Sequence, residues 1–195
     1  MKKLLLSLTA VVFCAQLSSA GTITYQALLS GAESGSTGFG FSTVIIDNIA
    51  LTMEVQVQFT GLVGTTTAAH IHCCTAVAGT GTAGVATQTP LFIGFPTGVT
   101  SGTYDHTFDL TVASTYNPAF VTAEGSLANA EAALLNGLAT DHTYMNVHST
   151  FAPNGEISGF LVPAPEPSTI FLAAGSLLSL GILRRRRVWH WQCDL

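Results

Sequence analysis

Over residues 51–59 the chain alternates: Leu51, Met53, Val55, Val57 and Phe59 are apolar, while Thr52, Glu54, Gln56 and Gln58 between them are polar. A period of two puts the first set on one face of a strand and the second on the other, as in a sheet with one dry and one wet face. Residues 104–112 repeat the pattern, with Tyr104, His106, Phe108, Leu110 and Val112 set against Asp105, Thr107, Asp109 and Thr111. Residues 39–46 are rich in aromatic and β-branched types, and Asp47-Asn48 offers turn chemistry before the next strand, which predicts a hairpin. Further strands are predicted at 22–29, 69–72, 91–95, 143–149 and 156–162, the last two joined by a turn around Pro153-Asn154-Gly155. Residues 76–86 are mostly Gly, Thr and Ala, with little to pack, and read as a long loop. One short helix is predicted at 127–136, capped by Ser126 and closed by Gly137. Many short strands, one helix and Gly-rich turns predict an all-β domain over 21–162, an antiparallel Greek-key β-sandwich.

Both ends of the chain break this pattern. Residues 1–20 open on Lys2 and Lys3, run apolar through 4–17 and end in Ser18-Ser19-Ala20, the layout of a secretory signal peptide cut after Ala20. Cys14 is read as part of its apolar run, because Val11-Val12-Phe13 lacks the small residue that lipid attachment requires. After Val162, residues 163–168 form a stiff Pro-rich linker, 169–183 are apolar or small, and Arg184, Arg185, Arg186 and Arg187 follow. That run predicts a C-terminal transmembrane helix, somewhat under the roughly 20 residues a bilayer usually needs, with the arginines holding its end on the cytoplasmic side. The order of Pro165-Glu166-Pro167, apolar helix and Arg cluster over 163–187 resembles the PEP-CTERM sorting signal of exported bacterial proteins. The resemblance implies an exosortase as partner, transient anchoring in the cytoplasmic membrane, cleavage near the motif and transfer to the cell surface or extracellular matrix. A plain membrane anchor is the alternative. Residues 188–195 form an atypical tail, since such signals end soon after their arginines.

Charge narrows the function. All six Lys and Arg residues lie in the two end segments, and nine acids fall between Glu33 and Glu156, leaving the predicted domain without one cationic side chain other than histidine. Such a domain repels phosphate backbones, which excludes nucleic acid as partner. No G-x-S-x-G elbow is present, and Asp141-His142 has no identifiable nucleophile, so hydrolysis is not supported.

The remaining chemistry is histidine and cysteine. His70 and His72 flank Ile71 and therefore share a strand face. Ile71, Met145 and Val147 are the apolar residues of their strands and are expected to face the core, which turns His70, His72, Tyr144, Asn146 and His148 toward the outer sheet face. If these strands are neighbours, three imidazoles gather there with the Asn146 amide, a start for Zn or Cu coordination. Glu156 is then a candidate carboxylate ligand or a partner orienting an imidazole. Polar surface histidines fit the same spacing. His106 shares its face with Phe108 and Leu110 and is read as a hydrogen-bonded core histidine, and His142 as a loop residue. The adjacent Cys73 and Cys74 are either small strand-end residues, unpaired or joined in a strained bridge, or thiolate ligands beside His72.

Four stretches in order carry a second resemblance: Ala69-His70-Ile71-His72; Gly102-Thr103-Tyr104 leading into Phe108-Asp109-Leu110-Thr111; Tyr144-Met145-Asn146-Val147-His148-Ser149; and Pro153-Asn154-Gly155-Glu156-Ile157-Ser158-Gly159. Over about 22–162 they resemble the CHRD domain, first described in chordin. Cys73 stands where the usual pattern has Gly, and Ser158 where it has Arg. The resemblance implies a secreted β-rich module, in animals part of a growth-factor-binding protein and in bacteria found in exported proteins. Its H-x-H strand is also similar to the one that supplies copper ligands in Cu/Zn superoxide dismutases. Two functions follow: a non-enzymatic binding or structural module for an extracellular protein, a glycan or a metal ion, or a superoxide dismutase-like metalloenzyme. Against the second, superoxide is an anion and the domain has no Lys or Arg to draw it in.

Overall fold

In the computed structural model, which describes residues 21–165, the alternating segments join in one antiparallel sheet. The elements are β1 (Thr22–Ser30), β2 (Phe39–Asp47), β3 (Thr52–Thr60), β4 (Thr66–Cys73), β5 (Gly102–Asp109), α1 (Pro118–Glu124), α2 (Leu127–Ala139), β6 (Thr143–Ser149), β7 (Ile157–Phe160) and β8 (Val162–Pro163). Strand order is β4-β6-β7-β1-β2-β3-β5, with β8 paired to β1. The domain is thus mostly β, as the alternation predicts, and its sheet is curled. β1 and β2 pair along their whole length, whereas β1 and β7 meet at the single pair Ser30 and Ser158. β8 extends that contact along the same edge of β1 through Tyr25–Pro163 and Gln26–Val162, and the β1-β2-β3-β5 half and the β4-β6-β7 half wrap one core in a sandwich-like arrangement. The predicted signal peptide, transmembrane segment and C-terminal tail lie outside the described residues. Among the described residues no helix is long and apolar enough to cross a membrane.

The core follows the predicted parity. Met53, Val55, Val57 and Phe59 of β3 are buried together with Val44 and Ile46 of β2, Ile71 of β4, and Met145 and Val147 of β6. Each such side chain contributes roughly 1.5–3 kcal/mol by leaving water. Leu51 departs from its predicted strand: it takes φ 53° in the β2–β3 turn and is exposed. Asp47 organises that turn, its Oδ1 accepting from the backbone N–H groups of Ile49 and Ala50, both at 2.8 Å.

Three further expectations are corrected. Residues 91–95 form no strand; they are turn and irregular backbone that seats Phe92 and Phe95 in the core. A second helix, α1, precedes the predicted one, with Asn117 Oδ1 accepting from the Ala119 N–H at 3.0 Å, Pro118 in the first turn and Gly125 at φ 84° at its end. These are the residue types that start and stop helices. Ser126 does cap α2, through the Asn129 N–H at 3.1 Å, but the helix continues through Gly137 to Ala139. Gly137 is needed there for contact rather than termination. A Cβ at that position would stand 2.6 Å from Cys73 Sγ and 2.9 Å from Thr143 Cγ2.

The connection from β4 to β5 runs between the two outermost strands of the sheet. It lies first along β4, where Ala86 N–H donates to the Ile71 carbonyl and the Thr87 hydroxyl accepts from the Ile71 N–H. Farther on, the Tyr104 hydroxyl of β5 donates to the Ile93 carbonyl at 3.1 Å. This strap places backbone carbonyls over the histidine face of β4.

Candidate metal centre

β4 and β6 pair with His70 opposite Asn146, His72 opposite Tyr144 and Ala68 opposite His148. Directly opposed residues share a sheet face, so the three histidines come together on one side, as parity predicts. Ala69, Ile71, Met145 and Val147 fill the other side without exposure. The expectation of an outer, wet face is corrected, since His70, His72 and His148 are 6%, 7% and 9% exposed. The strap from β4 to β5 and the β6–β7 turn cover that face, and both sides of β6 are buried.

What covers the imidazoles also orients them. His70 Nε2–H donates to the Pro90 carbonyl at 2.8 Å, His72 Nδ1–H to Ala83 at 2.9 Å, and His148 Nδ1–H to Pro153 at 2.9 Å. A carbonyl oxygen only accepts, so each of these ring nitrogens carries the hydrogen, and in a neutral imidazole the other nitrogen is a bare lone pair. The bare atoms are His70 Nδ1, His72 Nε2 and His148 Nε2. One ligand atom from each ring lies within 4.8 Å of the others. His70 Nδ1 and His148 Nε2 are 3.1 Å apart, and His72 Nε2 is buried with no hydrogen-bond partner among the described residues.

Burial keeps the rings neutral. It lowers the His70 pKa to about 4, the Pro90 carbonyl opposing the shift and the neighbouring His148 and His72 adding to it. His72 and His148 are likewise lowered, burial being the main cause in both. Tyr144 stacks on His72 with ring centres 4.8 Å apart, and its hydroxyl donates to the same Ala83 carbonyl at 3.2 Å. Three neutral imidazoles with fixed tautomers and converging lone pairs suit Zn or Cu, and three protein ligands leave a coordination position open.

The other candidates fall elsewhere. Asn146 sits on the histidine face, its Nδ2 donating to the Asn154 carbonyl at 3.0 Å, while its Oδ1 has no partner among the described residues. Glu156, 1% exposed, does not orient an imidazole; backbone carbonyls take that role. Its carboxylate instead accepts from the Val63 and Gly64 N–H groups and the Ser36 and Ser149 hydroxyls. Burial pushes its pKa up, but the hydrogen bonds from Ser149, Ser36, Val63 and Gly64 outweigh that and hold it below the usual carboxylate range. Cys73 has the parity of Ile71 and faces the core, where it forms a disulfide with Cys74 against α2. The pair is therefore not a thiolate arm of the histidine cluster. His106 is half-buried rather than a core residue and lies against Phe108, ring centres 4.7 Å apart. His142 sits in the α2–β6 loop, as expected, its Nδ1–H donating to the Thr75 carbonyl at 2.6 Å. Of the sorting motif, Pro165 is exposed irregular backbone; Glu166, Pro167 and Arg184 to Arg187 lie outside the described residues.

The sequence reading missed the carbonyls of Ala83, Pro90 and Pro153. Backbone groups carry no residue-type signal, although Pro90 and Pro153 mark places where the chain must turn.

Fold and site together describe a small antiparallel β domain with a histidine cluster enclosed by its own loops. The chain belongs to the CHRD domain family, whose model matches residues 25–161. No curated protein and no solved structure matches the chain.

Proposed function

We propose that the protein is an exported CHRD module, displayed at the cell surface or held in the extracellular matrix, which acts as a non-enzymatic binding or structural module and binds one Zn or Cu ion through His70, His72 and His148. The observation that carries the metal reading is the convergence of three bare imidazole nitrogens, each fixed by a carbonyl on the opposite ring atom. Two lone pairs facing each other, and a third buried without a partner, form an acceptor-only cluster that a cation satisfies. The ion would tie β4, β6 and the covering strap together. Export is supported by the signal-like residues 1–20, and handling by an exosortase by Pro165-Glu166-Pro167, the apolar run and Arg184 to Arg187. An extracellular protein or glycan is the proposed partner.

The superoxide dismutase-like reading shares the metal site, and the open coordination position favours it. The absence of Lys and Arg between residues 4 and 183 opposes it, because nothing concentrates an anionic substrate.

The test is elemental analysis of the full chain, purified without a His tag, stripped of metal and dialysed after loading with Zn(II) or Cu(II). One equivalent is expected, with loss in His72→Ala and His148→Ala; no retained metal contradicts the reading. Superoxide turnover by the Cu(II) form no faster than that of free copper supports the module, and faster turnover supports the enzyme. For the tail, a reporter fused to residues 163–187 is expected to be cleaved and released, whereas uncleaved retention in the cytoplasmic membrane indicates a plain anchor.

A further inference from the structure

We infer that the end of the domain from which the chain leaves β8 is a membrane-contact surface, where the β2–β3 turn enters the headgroup layer of a neutral bilayer through Ile49 and Leu51. The inference rests on the proposed reading of residues 169–183 as an anchor and adds a second contact with the same membrane.

Strand pairing fixes what lies at this end. Thr22 pairs with Asp47 and Thr52 with Asp109, so the start of β1, the β2–β3 turn and the end of β5 stand together. β8 runs back along β1 toward them, with Val162 opposite Gln26, Pro163 opposite Tyr25, and the Ala164 N–H donating to the Thr24 carbonyl at 2.8 Å. Thr24 is two residues, roughly 7 Å of strand, from Thr22 at the base of the turn. Only residues 165–168 separate Ala164 from Thr169, where the apolar run begins. However they are arranged, the five steps of chain from Ala164 to Thr169 span at most about 18 Å. An anchor that starts at Thr169 therefore keeps this end of the domain within that reach of the bilayer.

What the end presents is apolar where a turn is ordinarily polar. Ile49 is 79% exposed, and Ala50 and Leu51 beside it are exposed too. Gly, Asn, Asp and Ser are the usual turn residues. Leu51, at φ 53°, holds a conformation that Gly or Asn adopts at less cost. Ile23 and Val112 are 40% and 41% exposed at the same end. Ile23 follows Thr22, and Val112 lies two residues past Leu110, whose N–H donates to the Leu51 carbonyl at 2.9 Å. Exposed apolar side chains gathered in this way mark contact surfaces, whereas single ones are ordinary.

The backbone of the turn is already paired. The Asn48 N–H donates to the Gly21 carbonyl at 2.7 Å, the Ile49 and Ala50 N–H groups to Asp47 Oδ1, and the Leu51 carbonyl accepts from Leu110. No backbone donor at 48–50 has to give up water when the turn enters the headgroup layer, which is the condition an apolar medium sets. Charge selects the lipid. This end carries Asp47 and Asp109, Glu166 follows in the linker, and no residue between 4 and 183 is Lys or Arg. The amine that signal cleavage frees at Gly21 offsets one of the three acids. Anionic headgroups are therefore repelled, and the contact is apolar rather than ionic.

The test is ¹⁵N amide NMR of the mature chain, residues 21–195, in phosphatidylcholine nanodiscs containing doxyl-labelled lipid. Carbonate extraction of the same chain from phosphatidylcholine liposomes reports the anchor separately. The expected result is a chain that resists carbonate, with the Ile49, Ala50 and Leu51 amide signals broadened by the labelled lipid and those of Gly38 and Gly61, at the opposite end, unaffected. Ile49→Ser, an exposed change, is expected to move the balance of docked and free domain about tenfold toward free, the scale of returning one aliphatic side chain to water. Ile49→Leu is expected to restore it. Phosphatidylglycerol is expected to weaken the contact, and high salt to leave it unchanged in phosphatidylcholine. An anchored chain with no broadening at the turn, equal broadening at both ends, no effect of Ile49→Ser, or broadening that needs phosphatidylglycerol overturns the contact and leaves the anchor reading in place. Concentration-dependent shifts at the turn without broadening assign the surface to a second copy and also overturn it. Release by carbonate contradicts the anchor reading; the contact then stands if the turn is still broadened and falls if it is not.

Discussion

His70 Nδ1 faces His148 Nε2 across 3.1 Å, while the opposite nitrogen of each ring donates to a backbone carbonyl. With both rings neutral, two lone pairs point at one another, an arrangement that is unfavourable until a proton or a metal ion lies between them. Truncating one ring in the metal-free chain therefore removes a repulsion along with packing. His148→Ala is expected to cost the metal-free chain little, within about 1 kcal/mol, but to abolish stabilisation by Zn(II). For the wild type that stabilisation is about 2.7 kcal/mol at a free metal concentration one hundred times Kd. Urea midpoints of both chains, with and without Zn(II), measure the difference.

Acid is expected to destabilise the metal-free domain over a defined window. As pH falls through about 6.5 the unfolded His70 takes up a proton, but the buried native imidazole stays neutral until about 4. The unfolded state binds more protons throughout that interval, so stability is complete above about 6.5 and falls toward 4. His70 alone accounts for roughly 3 kcal/mol, and His72 and His148 act in the same direction. Denaturation curves across this range check the sign; stability that rises on acidification contradicts it.

Glu156 is the second polar centre of the domain and has a structural role. Its carboxylate gathers donors from the β1–β2 loop, the β3–β4 loop and the end of β6. Glu156→Gln keeps the size but turns an NH₂ group toward donors, so a loss of about 2–4 kcal/mol is expected in urea unfolding at pH 7. The native pKa is depressed, so this contribution is present above the ordinary carboxylate range and lost as pH falls through the native value.

Gly137→Ala separates a helix-ending role from a packing role. Ala favours helix by about 1 kcal/mol over Gly, yet its Cβ would press on Cys73 and Thr143. Packing is expected to win, with a net loss of about 1–2 kcal/mol in thermal unfolding; a more stable variant would show that the contact yields.

Parity was the legible part of this protein. Ile71, Met145 and Val147 have to face the core, and a period of two then places His70, His72 and His148 on one side. The enclosure of that side was not legible, because the Gly-, Thr- and Ala-rich strap offers few apolar side chains and acts through the carbonyls of Ala83 and Pro90. Residues 91–95 are apolar because Phe92 and Phe95 enter the core, a demand that irregular backbone meets as well as a strand. The start of α1 was written in Asn117-Pro118 and its stop in Gly125; only the shortness of the segment hid it.

The most direct test of the metal centre is the ¹⁵N signal of each imidazole nitrogen as one equivalent of Zn(II) is added to the metal-free chain. The account predicts that His70 Nδ1, His72 Nε2 and His148 Nε2 begin as bare nitrogens and shift together, while His106 and His142 do not move. Shifts confined to His106 or His142, or protonated nitrogens at the three predicted positions, would contradict it.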